Sequence, residues 1–276
     1  MENRLKSYKS SSRNVNHICS RQNCVKNEER KSKKDDQLDE RRNIDLSLPL
    51  EEPSLPPIFL NTTPLEEIIT HMQGSESVLV HYATQAARKM LMQRDPPIND
   101  MISNGIVQIF VDFLNSESSD LQYEAAWALK MITSGTQSQI NAVAKAGAIP
   151  KFISLMKLRH VGLSIQSSWA LNNILDSGSY THKSEALENN IVEVLVEISQ
   201  KEQQLSLLRT IVWLTSTLCY GKYLTLPVDK VKIILPVLAE LLCHDDFEIV
   251  SDAAWAIGCV GDWLYIYFYK SFISLI

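Results

Sequence analysis

The sequence contains no Cys-x-x-Cys pair, although it has five cysteines, at positions 19, 24, 219, 243 and 259. Structural zinc sites draw on closely spaced ligand pairs, so this absence argues against zinc. His17, Cys19 and Cys24 lie near one another but lack a fourth ligand. Scattered thiols fit a reducing compartment, the cytosol or the nucleus. Also missing are a phosphate-cradling Walker loop, a Gly-x-Ser-x-Gly elbow and a helix with paired metal ligands. Those absences exclude the nucleotide, acyl-transfer and metal-assisted hydrolysis chemistries such motifs serve. No enzyme, cofactor or metal is expected. The first 40 residues hold no apolar core stretch, so no secretory signal is read there. The apolar run WLYIYFYKSFISLI (263–276) has 14 residues and carries Lys270. That is short of the roughly 20 apolar residues a membrane span needs.

What is present is unevenly charged. Residues 1–43 hold 12 Lys+Arg against 7 Asp+Glu, whereas the remainder holds 15 against 25. A basic segment on an acidic body points to two opposed partner surfaces, or to a segment that folds back on its own body. Residues 1–43 show no clear apolar stripe, so alone they are expected to be largely disordered and to fold on a partner. Residues 44–57 contain four prolines and no glycine, the composition of an extended, semi-rigid linker. The linker is placed over 44–62.

From Thr63 the pattern becomes helical. Thr63-Pro64 followed by Glu66 and Glu67 reads as a helix start, with acids near the positive end of the dipole. A second helix over 78–93 is stopped by Asp95-Pro96-Pro97. Thereafter a unit recurs. Asn104-Gly105 precedes IVQIFVDFL, Ala146-Gly147 precedes AIPKFISLM, and Asn189-Asn190 precedes IVEVLVEIS. Each Gly or Asn suits a helix C-terminal cap, and each apolar run suits a buried helix. A tryptophan helix follows each time. The tryptophans of these helices stand at 127, 169, 213 and 255, in steps of 42, 44 and 42; a fifth, Trp263, opens the apolar end. A single residue type at so constant an interval signals a helical solenoid. The expected repeats are 63–104, 105–146, 147–189 and 190–232, with a partial one over 233–262. An apolar tail over 263–276 follows, which reads as a truncation or as a divergent end that docks onto something.

Residues one helical turn apart share a face. Gln166, Trp169 and Asn173 therefore point the same way. An indole face attracts Lys and Arg, and an asparagine amide can both donate to and accept from the backbone of an extended peptide. Packed helices lie about 8–10 Å apart and an extended chain advances about 3.3 Å per residue. An exposed ladder of Trp and Asn on stacked repeats is thus expected to hold an extended basic peptide, drawn in by the acidic body.

The motifs resemble those of importin alpha (karyopherin alpha), an armadillo-repeat family. RLKSYK (4–9) and RKSKKDDQLDERRNI (30–44) are similar to its importin-beta-binding segment. ATQAARK (83–89), DPPIND (95–100), LQYEAAWAL (121–129), TSGT (133–136) and AGAIPKFISL (146–155) are similar to its repeats. The resemblance implies an all-α, right-handed superhelical armadillo solenoid whose concave groove binds basic nuclear localisation signals. It implies cargo contacts at Trp127, Gly135, Gln166, Trp169, Asn173, Trp213, Asp252 and Trp255. Importin-beta contacts fall on Arg4, Leu5, Lys6, Arg13, Arg30, Lys31, Lys33, Lys34, Arg41 and Arg42. Shuttling between cytoplasm and nucleus follows, with no direct nucleic-acid or membrane partner.

The departures are specific. The family places Asn four residues after Trp in successive repeats; here only Asn173 remains, and Met131 and Thr217 stand at the flanking positions. The family grips a cargo lysine with Gly, Thr and Asp; the positions here are Gly135, Ile140 and Ser177, with Asp176 one place off. The run of arginines in the N-terminal segment is reduced to Arg21, and Glu40 stands where a lysine is expected. The family has about ten repeats, against about five here. Cargo binding is therefore expected to be weak. Two alternatives stay open: a regulator that occupies importin beta with little cargo binding, and an armadillo scaffold without a transport role.

Overall fold

The computed structural model describes residue 56 and residues 63–273, apart from 159, 178, 202–203 and 221–225; side chains are described as far as Gly261. The segment 1–43, most of the linker, and the thiols Cys19 and Cys24 lie outside the described residues. So do the basic residues from Arg4 to Arg42 assigned to importin beta.

The described residues form thirteen α-helices and no strand. They are α1 (Leu65–Met72), α2 (Ser77–Leu91), α3 (Ile98–Ser103), α4 (Ile106–Phe113), α5 (Ser119–Thr133), α6 (Gln137–Lys145), α7 (Ala148–Leu155), α8 (Val161–Asp176), α9 (Tyr180–Glu188), α10 (Ile191–Lys201), α11 (Leu205–Cys219), α12 (Val228–Leu241) and α13 (Phe247–Ile273). Helices α3–α5, α6–α8 and α9–α11 each place two shorter helices before a tryptophan-bearing one of 15 or 16 residues. In the last unit a single helix, α12, with Pro236 inside it, precedes the tryptophan helix.

The junctions follow from backbone chemistry. Gly105 and Gly147 adopt positive φ, 77° and 80°, and Asn190 does so at 59°. These left-handed residues let the chain turn from a short helix into a medium one. Ser118 caps α5 by accepting from the Leu121 amide. Thr136 and Gln139 form a reciprocal capping box on α6.

The medium helices supply the large core side chains. Ile106, Phe110, Ile149, Phe152 and Ile191 are completely buried. The tryptophan helices supply small ones: Ala125, Ala126, Ala128, Ala170, Ala253 and Ala256 are equally buried. Small side chains let these helices approach closely, and they pack in succession, α2 on α5, α5 on α8, α8 on α11 and α11 on α13. This is an armadillo-repeat solenoid. Helix α13 runs unbroken from Phe247 to Ile273, through residue 262, where the sequence places a boundary. No helix among the described residues is long and apolar enough to cross a membrane.

Candidate peptide-binding face on the tryptophan helices

Trp127, Trp169, Trp213 and Trp255 fall on α5, α8, α11 and α13, so the stacking of these helices brings the four indoles into one series. The rings are less open than the sequence suggests. Trp127 and Trp169 are 4% exposed, and Trp213 and Trp255 are half-buried.

The closure has identifiable causes. The Arg88 guanidinium lies 4.1 Å from the centre of the Trp127 ring, and the Lys130 ammonium 5.3 Å from it. Tyr123 meets Trp127 edge-on at 5.7 Å. Arg88 is itself fixed, donating from Nε to Glu124 Oε2 in a buried pair and from a terminal nitrogen to Met92 Sδ at 3.1 Å. At the next step Trp169 and Trp213 meet edge to face at 4.6 Å. Tyr220 lies against Trp255 at 6.0 Å.

Polar atoms along the same helices have unmet hydrogen-bonding capacity. Gln85 Oε1 on α2, Trp127 Nε1 on α5, and Gln166 Oε1 and Asn173 Oδ1 on α8 are buried without a hydrogen-bond partner. Asn173 is 2% exposed, and its amide nitrogen donates to Thr133 Oγ1 at 3.4 Å and Ser134 Oγ at 3.2 Å. The nitrogen ties α8 to the end of α5, and only the oxygen is left unmatched. Asp252 is half-buried three residues before Trp255.

Gly135 has a local reason to be glycine. A Cβ there would stand 1.9 Å from Gln139 Oε1, the atom that accepts from the Thr136 amide in the capping box. Gln139 also donates to Asn99 Oδ1 at 2.9 Å, joining α6 to α3. Ser177, at the position of the family's aspartate, donates to the Ile174 carbonyl at 2.6 Å and faces His182 Nδ1 at 3.4 Å. Burial lowers the His182 pKa. Ile140 is buried, and Asp176 is exposed at the end of α8.

Lys183 escaped the sequence reading. It is 4% exposed and donates to the Thr217 carbonyl at 2.8 Å and to the Tyr220 carbonyl. Thr217 lies in the last turn of α11 and Tyr220 is its C-cap, so the lysine closes the end of that helix. Burial lowers the Lys183 pKa, with Asp176 opposing the shift. On the other flank, Arg209 grips Asp246 through Nε and a terminal nitrogen and also faces Glu248 at 3.5 Å. Its hydrogen bonds hold the Asp246 carboxyl below the usual carboxylate range. The described cysteines, Cys219, Cys243 and Cys259, are free, and burial pushes the Cys219 thiol up to about 12.

The Armadillo/beta-catenin-like repeat family model matches residues 94–134 and 233–258. Importin subunit alpha-3 of Caenorhabditis elegans is 40% identical over 236 residues, covering 84% of this chain and 46% of that protein. The chain is importin-alpha-like. Importin subunit alpha-1 of Schizosaccharomyces pombe is 36% identical, with 84% of this chain and 44% of the relative covered. The importin-alpha-like chain thus spans about half the length of the curated relatives it matches. Among solved structures, a designed armadillo repeat protein in complex with peptide (KR)4 superposes with a TM-score of 0.62 at 20% identity, covering 71% of this chain and 81% of that one. A computationally designed armadillo repeat protein for modular peptide recognition gives 0.63 at 18% identity, covering 71% and 81%. At those identities the likeness concerns the fold.

Proposed function

We propose that the chain is a nuclear import adaptor that binds basic nuclear localisation signals along α5, α8, α11 and α13 and docks to importin beta through residues 1–43. Trp127, Gly135, Gln166, Trp169, Asn173, Trp213, Asp252 and Trp255 form the cargo face in this reading. The basic residues from Arg4 to Arg42 form the importin-beta segment, and the protein shuttles between cytoplasm and nucleus. The observation that carries it is the set of buried, unmatched polar atoms on the tryptophan helices, Gln166 Oε1 and Asn173 Oδ1 foremost. Leaving such atoms unpaired costs about 1–3 kcal/mol each. An extended peptide supplies backbone N–H donors at the spacing of a strand, and its lysine stems lie along indole. The acidic body adds long-range attraction.

A second reading, an occupant of importin beta with little cargo binding, draws support from the low exposure of Trp127 and Trp169. Titration of a fluorescent lysine-rich peptide into the full chain separates the two. Saturable, salt-sensitive binding supports the adaptor. No binding, together with capture of importin beta by the same chain, supports the second reading. No binding to either partner contradicts both.

A further inference from the structure

Among the described residues the stack of tryptophan helices ends at α13. Each earlier tryptophan helix packs under the next one, and the register shows what that covering does. The residue just before the indole is Ala126 in α5, Ser168 in α8 and Val212 in α11, and all three are completely buried. In α13 it is Ala254, which is exposed. Six places after the indole, Thr133, Leu175 and Cys219 are buried, whereas Gly261 is exposed. The neighbouring helices repeat the contrast. Leu114 and Met156, which end α4 and α7, are each 2% exposed, but Leu242, which ends α12, is 40% exposed. The last unit thus presents a face of the kind that the earlier units bury against a helix.

This face is self-complementary. On α13, Val250, Ala254 and Gly258 form one ridge of residues four apart, continued by Phe247 at one end and Gly261 at the other. The bulky residues lie on one side of Ala254, and the glycines lie at equal intervals on the other. Phe247 is 80% exposed, and a Cβ at Gly258 or Gly261 would meet nothing within 4 Å. On α12, exposed Lys232 and Glu240 stand four residues either side of exposed Pro236. Helices α12 and α13 pack together across the short connection 242–246, so they run in opposite directions. Pro236 and Ala254 therefore lie at similar depth from that connection, and one line across the face passes both.

We propose that this end face binds a second copy of the chain, with that line as the two-fold axis. Each helix then crosses its own counterpart in the antiparallel sense, ridge against ridge, the commonest class of helix packing. Phe247 of one copy fills the space over Gly261 of the other, and Val250 fills that over Gly258. Lys232 of each copy faces Glu240 of the other, so two reciprocal ion pairs flank Pro236. Opposite charges and unequal sizes thus meet when the second copy is reversed, which fixes the register of the dimer.

Sedimentation velocity of the full chain over a range of concentrations tests the dimer, with circular dichroism checking the helix content of each variant. The wild type is expected to show a monomer–dimer equilibrium. Gly258→Lys has room for its side chain in the single chain and is expected to raise the dissociation constant more than about tenfold. Lys232→Glu is expected to raise it about tenfold, because symmetry counts each lost pair twice. Lys232→Glu combined with Glu240→Lys is expected to return it to within about threefold of the wild type. The two residues are eight positions apart on one helix and do not meet within a chain, so the rescue reports a contact between copies. A monomer at every concentration up to about 100 µM overturns the proposal. A dimer that Gly258→Lys leaves unchanged, or that the charge exchange fails to restore, places the interface elsewhere and overturns it equally.

Discussion

The Trp127 step and the Trp169–Trp213 step are built from the same repeat, yet they solve the burial of an indole in opposite ways. At Trp127 the ring is covered by side chains of its own chain: Arg88 from α2, Lys130 three residues further along α5, and Tyr123 at its edge. At Trp169 and Trp213 the rings meet each other, and the neighbouring amides, Gln166 and Asn173, keep acceptor oxygens unmatched. A repeat position fixes where a tryptophan goes. What covers it is decided by neighbours on its own helix together with residues about forty positions away in the adjoining repeat. The first step leaves Trp127 Nε1 unmatched and the second leaves two amide oxygens, so the second has the larger capacity for a partner.

The largest effect is expected from breaking the closed step. Glu124→Ala strands the buried Arg88 guanidinium, and loss of one member of a buried pair costs about 3–5 kcal/mol. Urea unfolding is expected to show that loss, and a change under about 1 kcal/mol would mean the pair is not holding the step together. Asn172 sharpens the contrast from the other side. It is completely buried on α8, and neither of its amide atoms has a partner. Asn172→Ala removes an unmatched amide and is expected to raise stability by about 1–2 kcal/mol. A loss instead would show that its amide is satisfied by water.

Gly135→Ala pushes Gln139 out of the capping box at the start of α6, with an expected cost of about 1 kcal/mol. Thermal melting checks it, with Gly135→Ala and Gln139→Ala measured alone and together, and non-additivity is the signature of a shared cause. The smallest effect concerns the flank of the open step. Arg209 lowers the Asp246 pKa, so this pair stabilises the fold at pH values above the ordinary carboxylate pKa, and the contribution disappears as pH falls through the lowered folded value. Arg209 is partly exposed, which limits the effect to about 1 kcal/mol or less. Stability measured from pH 6 downward should fall less steeply in Asp246→Asn than in the wild type.

Local features carried most of the fold. The interval between tryptophans marked the repeats, and Gly105, Gly147 and Asn190 announced their turns because only residues tolerant of positive φ suit them. The candidate face was only partly legible. The pairing of Arg88 with Glu124 spans two repeats, and nothing in ATQAARK states that its arginine reaches over a ring on α5. Lys183 likewise reaches the end of α11 from 34 residues away. Helix α13 continues past residue 262, because no proline interrupts the apolar run that follows Gly261.

The central claim is that ligand binding rests on the open step and hardly at all on the closed one. Titration of a fluorescent lysine-rich peptide into the wild type, Trp213→Ala and Trp127→Phe tests this most directly, with circular dichroism confirming that each variant is folded. Trp213→Ala should lose more than about tenfold in affinity, the scale of a cation resting on a partly desolvated indole. Trp127→Phe should change it less than about threefold. Equal losses in the two variants, or a larger loss at Trp127, would contradict the account.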